Sequence, residues 1–298
     1  MTQGSRFREL LHRDGMVVAP GAYDCITAKL IEQAGFEAVY MTGAGTAATF
    51  GYPDFGLLTM SEMVDNARRI GAAVELPVIA DADTGYGNEL NVFRTVREYE
   101  NAGVAGIHIE DQGFPKKCGH LDDKEIVPRE DWLAKIRAAA AARRDRDFVI
   151  IARTDSRAVA GFDEAIIRAN AALAAGADIA FVEAPQTLEE VAAVPRRVNG
   201  PCLLNVVYGG KTPDLDLRDA ETMGYKLAIV PGLLIKCVVG VCDDALAELK
   251  ASHRHPHPPK SMTVREVFQR VGADEWDARR TQFRDVAPTR SAAEELLS

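Results

Sequence analysis

Four stretches decide the fold: QAGFEAVYM (33–41), NAGVAGIHI (101–109), AAGADIAFV (174–182) and TMGYKLAIV (222–230). In each, a glycine (Gly35, Gly103, Gly176, Gly224) follows a helical pattern, a short link comes next, and an apolar run follows. Glycine suits the left-handed position just past a helix C-terminus. Each stretch therefore reads as helix end, short loop and buried strand. Four further apolar runs lie between them: MVVAP (16–20), LPVIADAD (76–83), FVIIARTD (148–155) and PCLLNVV (201–207). In chain order this predicts eight strands, near 16–19, 38–42, 77–80, 106–110, 148–153, 179–183, 202–206 and 227–231. The runs are continuous rather than alternating, as parallel strands covered by helices require.

Helical patterns fill the gaps. Thr59 with Glu62 makes a capping box ahead of an apolar face of Met60, Met63, Val64, Ala67 and Ile70. Asn88 is placed to cap a helix carrying Val92, Val96 and Tyr99, and Asp163 to cap one running to Ala175. The alanine-rich stretch from Arg129 to Arg144 is a strong helix former. Strand and helix alternate eight times, which predicts a (β/α)8 TIM-type barrel rather than an open doubly wound sheet.

The expected organisation is a barrel catalytic domain over residues 1–250 and a linker with a helical tail over 251–298. HRHPHPP (253–259) reads as the linker, its histidines as solvated surface rather than metal ligands. SMTVREVFQRVG (261–272) reads as a short helix capped by Ser261, with Val264, Val267, Phe268 and Val271 as its apolar stripe. That stripe is expected to pack on a partner subunit.

Composition narrows the function classes. With 47% hydrophobic and 27% charged residues the chain is an ordinary globular one, not a disordered or fibrous one. A net charge of −9 disfavours nucleic acid and anionic membranes as partners. No apolar run approaches the roughly 20 residues that span a bilayer, and MTQGSRFRELLHRDG lacks a signal-peptide core. The five cysteines (Cys25, Cys118, Cys202, Cys237, Cys242) show no paired or zinc-ligand spacing, so free thiols in a cytoplasmic setting are expected.

In barrel enzymes the chemistry sits at the C-terminal ends of the strands. Here those ends carry Tyr23 and Asp24; Tyr40, Thr42, Gly43, Ala44 and Gly45; Asp81 and Asp83; His108, Glu110 and Asp111; Arg153 and Asp155; Glu183; Asn205; and Pro231. Acidic groups gather on strands three, four and six beside one arginine. In DADTGYG (81–87), Asp81 and Asp83 point the same way if the strand persists. Such carboxylates repel one another unless a cation compensates them, and hard oxygen ligands select Mg2+ or Mn2+. In KKCGH (116–120), Lys116, Lys117 and His120 surround Cys118 with positive charge, which predicts an exposed thiol of lowered pKa. Gly43 and Gly45 offer backbone N–H groups for an anion, and Asp54 sits in a polar loop, GYPDFG (51–56), over the barrel mouth.

MTGAG, GYPDFG, DADTGYG, IHIEDQ, KKCGH, ARTD and FVEAP occur in this order. Together they resemble the isocitrate lyase / phosphoenolpyruvate mutase superfamily, over about residues 15 to 245, and MTVREVFQRVG is similar to the C-terminal segment of the dimethylmalate lyase-like branch. The resemblance implies a (β/α)8 barrel whose last helix is swapped between subunits, usually in a homotetramer. It implies Asp81 as the direct Mg2+ ligand, with Asp54, Asp83 and Glu110 holding the metal's waters. Thr42, Gly43 and Ala44 would bind a substrate carboxylate near Asp54, and Arg153 a carboxylate or enolate oxygen. Glu183 and Asn205 are implied as further pocket residues, Tyr40 as a tyrosine near the hydroxyl to be deprotonated, and Cys118 as the lyase cysteine of a mobile gating loop.

The residue types suit one mechanism. A 2-hydroxy di- or tricarboxylate of the 2-alkylmalate or methylisocitrate type chelates Mg2+, and its C2–C3 bond breaks in a retro-aldol sense through a metal-stabilised alkoxide. The products are a 2-oxo acid and an enolate, which Cys118 protonates while Arg153, Lys116 and Lys117 supply charge. His120 completes the catalytic group. Three readings stand beside this one. Oxaloacetate hydrolases resemble the chain closely but tend to carry serine where it has Pro231. Phosphonate P–C bond enzymes lack the cysteine signature. A non-catalytic barrel has no need of the full acid set.

Overall fold

In a computed structural model the eight predicted strands form one closed barrel in sequence order, every neighbouring pair parallel, with β8 returning to β1. The structure describes residues 1–121, 123–257, 260 and 262–284. The elements run α1 (Gln3–His12), β1 (Val17–Ala22), α2 (Cys25–Gln33), β2 (Val39–Met41), α3 (Gly43–Thr49), α4 (Met60–Ala73), β3 (Val78–Asp81) and α5 (Glu89–Asn101). They continue as β4 (Gly106–Glu110), α6 (Arg129–Ala142), β5 (Val149–Thr154), α7 (Ser156–Ala160), α8 (Phe162–Ala174), β6 (Ile179–Val182) and α9 (Leu188–Arg197). The rest are β7 (Cys202–Asn205), α10 (Leu217–Met223), β8 (Leu227–Val230), α11 (Leu233–Ser252), α12 (Val264–Arg270) and α13 (Ala273–Arg284).

All four repeat glycines take the positive φ that the repeat predicts, from 82° at Gly103 to 113° at Gly176. Each lets a helix stop and the next strand begin within a few residues. The Thr59/Glu62 and Asn88/Asn91 capping boxes form at the starts of α4 and α5. Other caps differ from expectation. Helix α8 begins after Gly161 with no side-chain cap, because Asp163 turns outward to pair with Arg197 at 2.8 Å. Helix α12 is capped by Thr263 with Glu266; Ser261 lies outside the described residues, as do Pro258 and Pro259 of the linker.

The barrel interior is filled by Val17, Ala19, Tyr40, Ile79, Val149, Ile151, Ile179, Phe181, Leu203, Leu227 and Ile229. Phe7 of α1, fully buried, packs into the same cluster and closes the end opposite the strand C-termini. A second layer, including Val64, Ile70, Val96, Tyr99, Trp132 and Ile136, joins the outer helices to the sheet.

The chain divides into two compact units, Met1–Gly240 and Val241–Ser298, with the division inside α11. Helix α11 buries none of its residues, and Val239 and Leu246 are more than half exposed. Cys237 and Cys242 lie on this helix and are also exposed. Among the described residues no helix is long and apolar enough to cross a membrane.

Candidate active site

Strand ends place the site at one mouth of the barrel. At β1, Asp24 leaves the site: its carboxylate accepts Thr27 N–H at 2.8 Å and caps α2. At β2, the Tyr40 hydroxyl donates within a buried cluster, 2.8 Å from His108 Nε2 and 3.3 Å from Asp81 Oδ2. Thr42 caps the short helix α3, its hydroxyl accepting Gly45 N–H at 3.3 Å. Gly43 N–H donates to Asp81 Oδ2 at 3.2 Å. A Cβ at Gly43 would stand 2.4 Å from that oxygen, so only glycine permits the approach. Two of the amides expected to cradle a substrate carboxylate are thus engaged by the protein, while Ala44 is exposed.

β3 ends at Asp81, so the strand does not persist to Asp83. Asp83 instead takes φ 47°, and its N–H donates back to Asp81 Oδ1 at 2.9 Å. This turn, not strand alternation, keeps both carboxylates at the mouth. Burial works against the ionised form of Asp81, but His108, Lys116 and Arg153 outweigh it and hold its carboxyl at about 2. Burial pushes Asp83 up to about 6 against the pull of Lys116. Burial also pushes Glu110, on β4, well above the usual carboxylate range. Both Glu110 oxygens and Asp83 Oδ1 are buried and depend on ion pairs rather than a hydrogen-bond network, with Arg153 3.2 Å from Glu110 Oε2 and Lys116 2.7 Å from Asp83 Oδ1. Among the described residues no three His, Cys, Asp or Glu side chains already close into a metal cage. The Lys116 ammonium stands between the acids instead, 2.5 Å from Asp54 and 2.7 Å from Asp83.

On β5, Arg153 spans the pocket. Its Nε lies 2.9 Å from Asp155, one terminal nitrogen 3.2 Å from Glu110, and the other 3.9 Å from Glu183. On β6 and β7, Glu183 accepts from Asn205 Nδ2 at 3.2 Å and from His120 Nε2 at 3.2 Å. His120 Nδ1 accepts Lys211 N–H at 2.9 Å, which makes Nε2 the protonated nitrogen. The segment 116–121 therefore meets the acids at one end and Glu183 at the other. Lys117 joins through its backbone, its N–H and carbonyl both bonded to the Gln112 side chain.

Cys118 corrects an expectation. Its thiol is partly buried, and burial raises its pKa; Asp54 and Glu183 push the same way, against the His120 backbone N–H and Arg153. The lysine charge that was to lower it is spent on Asp54 and Asp83, and burial lowers His120 towards its neutral form. Sequence reasoning gave no role to His108, Asp155 or Lys124. All three are buried and bonded to the site, and only the position of His108 and Asp155 at strand ends signalled them. Asp111, beside Glu110, is structural: it ties β4 to Thr154 at 2.6 Å and to Arg168 on α8 at 3.1 Å.

The family model for phosphoenolpyruvate phosphomutase matches residues 7–250. The chain belongs to the phosphoenolpyruvate mutase / isocitrate lyase superfamily. It is 50% identical over 84% of its length, and 87% of the relative, to 2,3-dimethylmalate lyase of Eubacterium barkeri. It is 42% identical to 2-methylisocitrate lyase of Aeropyrum pernix, over 99% of this chain and 94% of that one. Among solved structures, oxaloacetate acetylhydrolase with the inhibitor 3,3-difluorooxalacetate superposes with a TM-score of 0.91 at 36% identity, covering 94% and 97% of the two chains. Phosphonopyruvate hydrolase, in complex with oxalate and Mg2+, gives 0.86 at 32% identity, covering 95% and 99%. Membership of this superfamily with named lyases as relatives makes the protein a carbon–carbon lyase.

Proposed function

We propose that this superfamily member cleaves a 2-hydroxydicarboxylate of the 2-alkylmalate type to a 2-oxo acid and a carboxylic acid, with Mg2+ as its cofactor. One observation carries the reading. Buried carboxylate oxygens of Asp83 and Glu110, offset by the Lys116 ammonium at 2.7 Å and the Arg153 guanidinium at 3.2 Å, face the same small space as the segment bearing Cys118. Buried carboxylates short of hydrogen bonds are costly to ionise, and a hard divalent cation stabilises them in that form. Asp81, Asp83 and Glu110 would hold Mg2+ directly or through its waters, with Mn2+ able to substitute, and Asp54 would join once Lys116 releases it. When bound, the ion supplies positive charge to the carboxylate and hydroxyl oxygens of the substrate.

The chain's own groups do the rest. The Tyr40 hydroxyl, bonded to Asp81 and His108, is set beside the substrate hydroxyl. Arg153 pairs with a substrate carboxylate and carries the charge that develops on the departing acid. Glu183 with Asn205 and His120 lines the far side. Cys118 donates the proton to the departing carbon, and a raised pKa keeps that proton on the thiol at neutral pH. The free cysteines fit a cytoplasmic setting.

The superposition with oxaloacetate acetylhydrolase supports a second reading, hydrolysis of oxaloacetate. A screen of 2,3-dimethylmalate, 2-methylisocitrate, oxaloacetate and phosphonopyruvate with Mg2+, reading 2-oxo acid or oxalate release, separates them. Cleavage of phosphonopyruvate alone would overturn the proposal.

A further inference from the structure

We infer that Lys124 is a positioning residue for the lyase reaction, fixing the Cys118 segment against Arg153 through Asp155 and the Gly119 carbonyl. The inference rests on the reading of Cys118 as the proton donor. The Lys124 side chain is 1% exposed. Its ammonium donates to Asp155 Oδ1 at 2.8 Å and to the carbonyl oxygen of Gly119, the residue next to Cys118. The same Asp155 carboxylate accepts two hydrogen bonds from Arg153, at 2.9 Å and 3.1 Å. One buried carboxylate thus takes the pocket guanidinium on one side and the ammonium that ties down the cysteine segment on the other.

The fit at Gly119 shows why that tie matters. A Cβ there would stand 2.2 Å from Glu183 Oε1 and 2.5 Å from an Arg153 terminal nitrogen. The segment therefore lies directly on two pocket residues, with no room to approach further. Lys116 and His120 hold its side chains, but among the described residues Lys124 is the side chain that anchors the Gly119 carbonyl itself. A buried ammonium is retained where charge and acceptors offset its desolvation. Here both acceptors belong to groups that set where the thiol and the guanidinium stand. A displacement of about 1 Å in such a group can cost on the order of 100-fold in rate.

Lys124→Met keeps most of the volume and removes the charge. The expected result is a fall in kcat of about 10- to 100-fold with KM moving less than about threefold. Lys124→Arg should recover part of kcat. Iodoacetamide should label Cys118 faster in Lys124→Met than in the unaltered protein. A folded Lys124→Met with unaltered kcat and unaltered Cys118 labelling overturns the inference, even if its melting temperature drops. If Lys124→Met does not fold, Lys124→Arg decides: faster Cys118 labelling supports positioning, and unaltered labelling with unaltered kcat overturns it. If no 2-hydroxydicarboxylate is cleaved by the unaltered protein, the functional reading fails on its own, and the labelling comparison still decides whether Lys124 positions the segment.

Discussion

The Lys116 ammonium lies 2.7 Å from Asp83 Oδ1, inside the group of carboxylates proposed to hold a divalent cation. That ammonium and the Arg153 guanidinium, 3.2 Å from Glu110, balance only part of the charge that Asp54, Asp81, Asp83 and Glu110 carry when all are ionised. Mg2+ binding should therefore draw Asp83 away from Lys116 and free the lysine for the substrate. Activity should vanish after metal removal with chelator and return with Mg2+ or Mn2+. Asp81→Ala should abolish Mg2+ binding by calorimetry, because it removes a proposed ligand. Full turnover in excess EDTA would sink the metal assignment.

Cys118→Ser should lower kcat by a factor on the order of 10² to 10⁴ and leave KM nearly unchanged, since a serine hydroxyl is a much weaker acid than a thiol. The pH profile carries a sign. Burial raises the Cys118 pKa, so the protonated donor persists above the ordinary thiol value of about 8.5. The rate should hold through neutral pH and fall only on the alkaline side of that value. A rate that declines as pH rises through 7 would point instead to an acidic thiol and remove this account.

The apolar stripes of α11 and α12 should be covered by a partner subunit, because Val239, Leu246, Val264 and Phe268 are each more than half exposed in the single chain. Deleting residues 260–298 should weaken the oligomer. Light scattering tests it: a truncated chain of unchanged assembly size argues against a tail that packs across subunits.

Phe7 is fully buried in the barrel's inner cluster. Phe7→Ala should cost about 3–5 kcal/mol in denaturant unfolding while leaving the distant mouth unaltered. A loss near zero would mean that α1 is not a working plug.

Much of the molecule was legible along the chain. Strands, repeat glycines and the caps at Thr59 and Asn88 depend on a few adjacent residues, and the local pattern is the physical cause. Caps failed where a residue had a better offer elsewhere. Asp163 pairs with Arg197, 34 positions away, and leaves α8 to Gly161. The position of Asp83 was right for the wrong reason, since a left-handed residue rather than a longer strand keeps it at the mouth.

The sequence by itself determined the eight-stranded barrel and the set of polar residues at its strand ends, because period, turn glycines and strand-end position are properties of short stretches. Only the tertiary structure decided what those residues are electrostatically. Cys118 stands among basic neighbours in sequence, yet burial raises its thiol, with Asp54 and Glu183 pushing the same way, while Lys116 is taken by Asp54 and Asp83 and His120 by Glu183. Nothing around Lys124 in the sequence signals a role, and it is Asp155, 31 positions on, that meets it in the interior. A pKa and a positioning role depend on which charges arrive from elsewhere in the chain and on how completely water is excluded, and neither is written in local spacing.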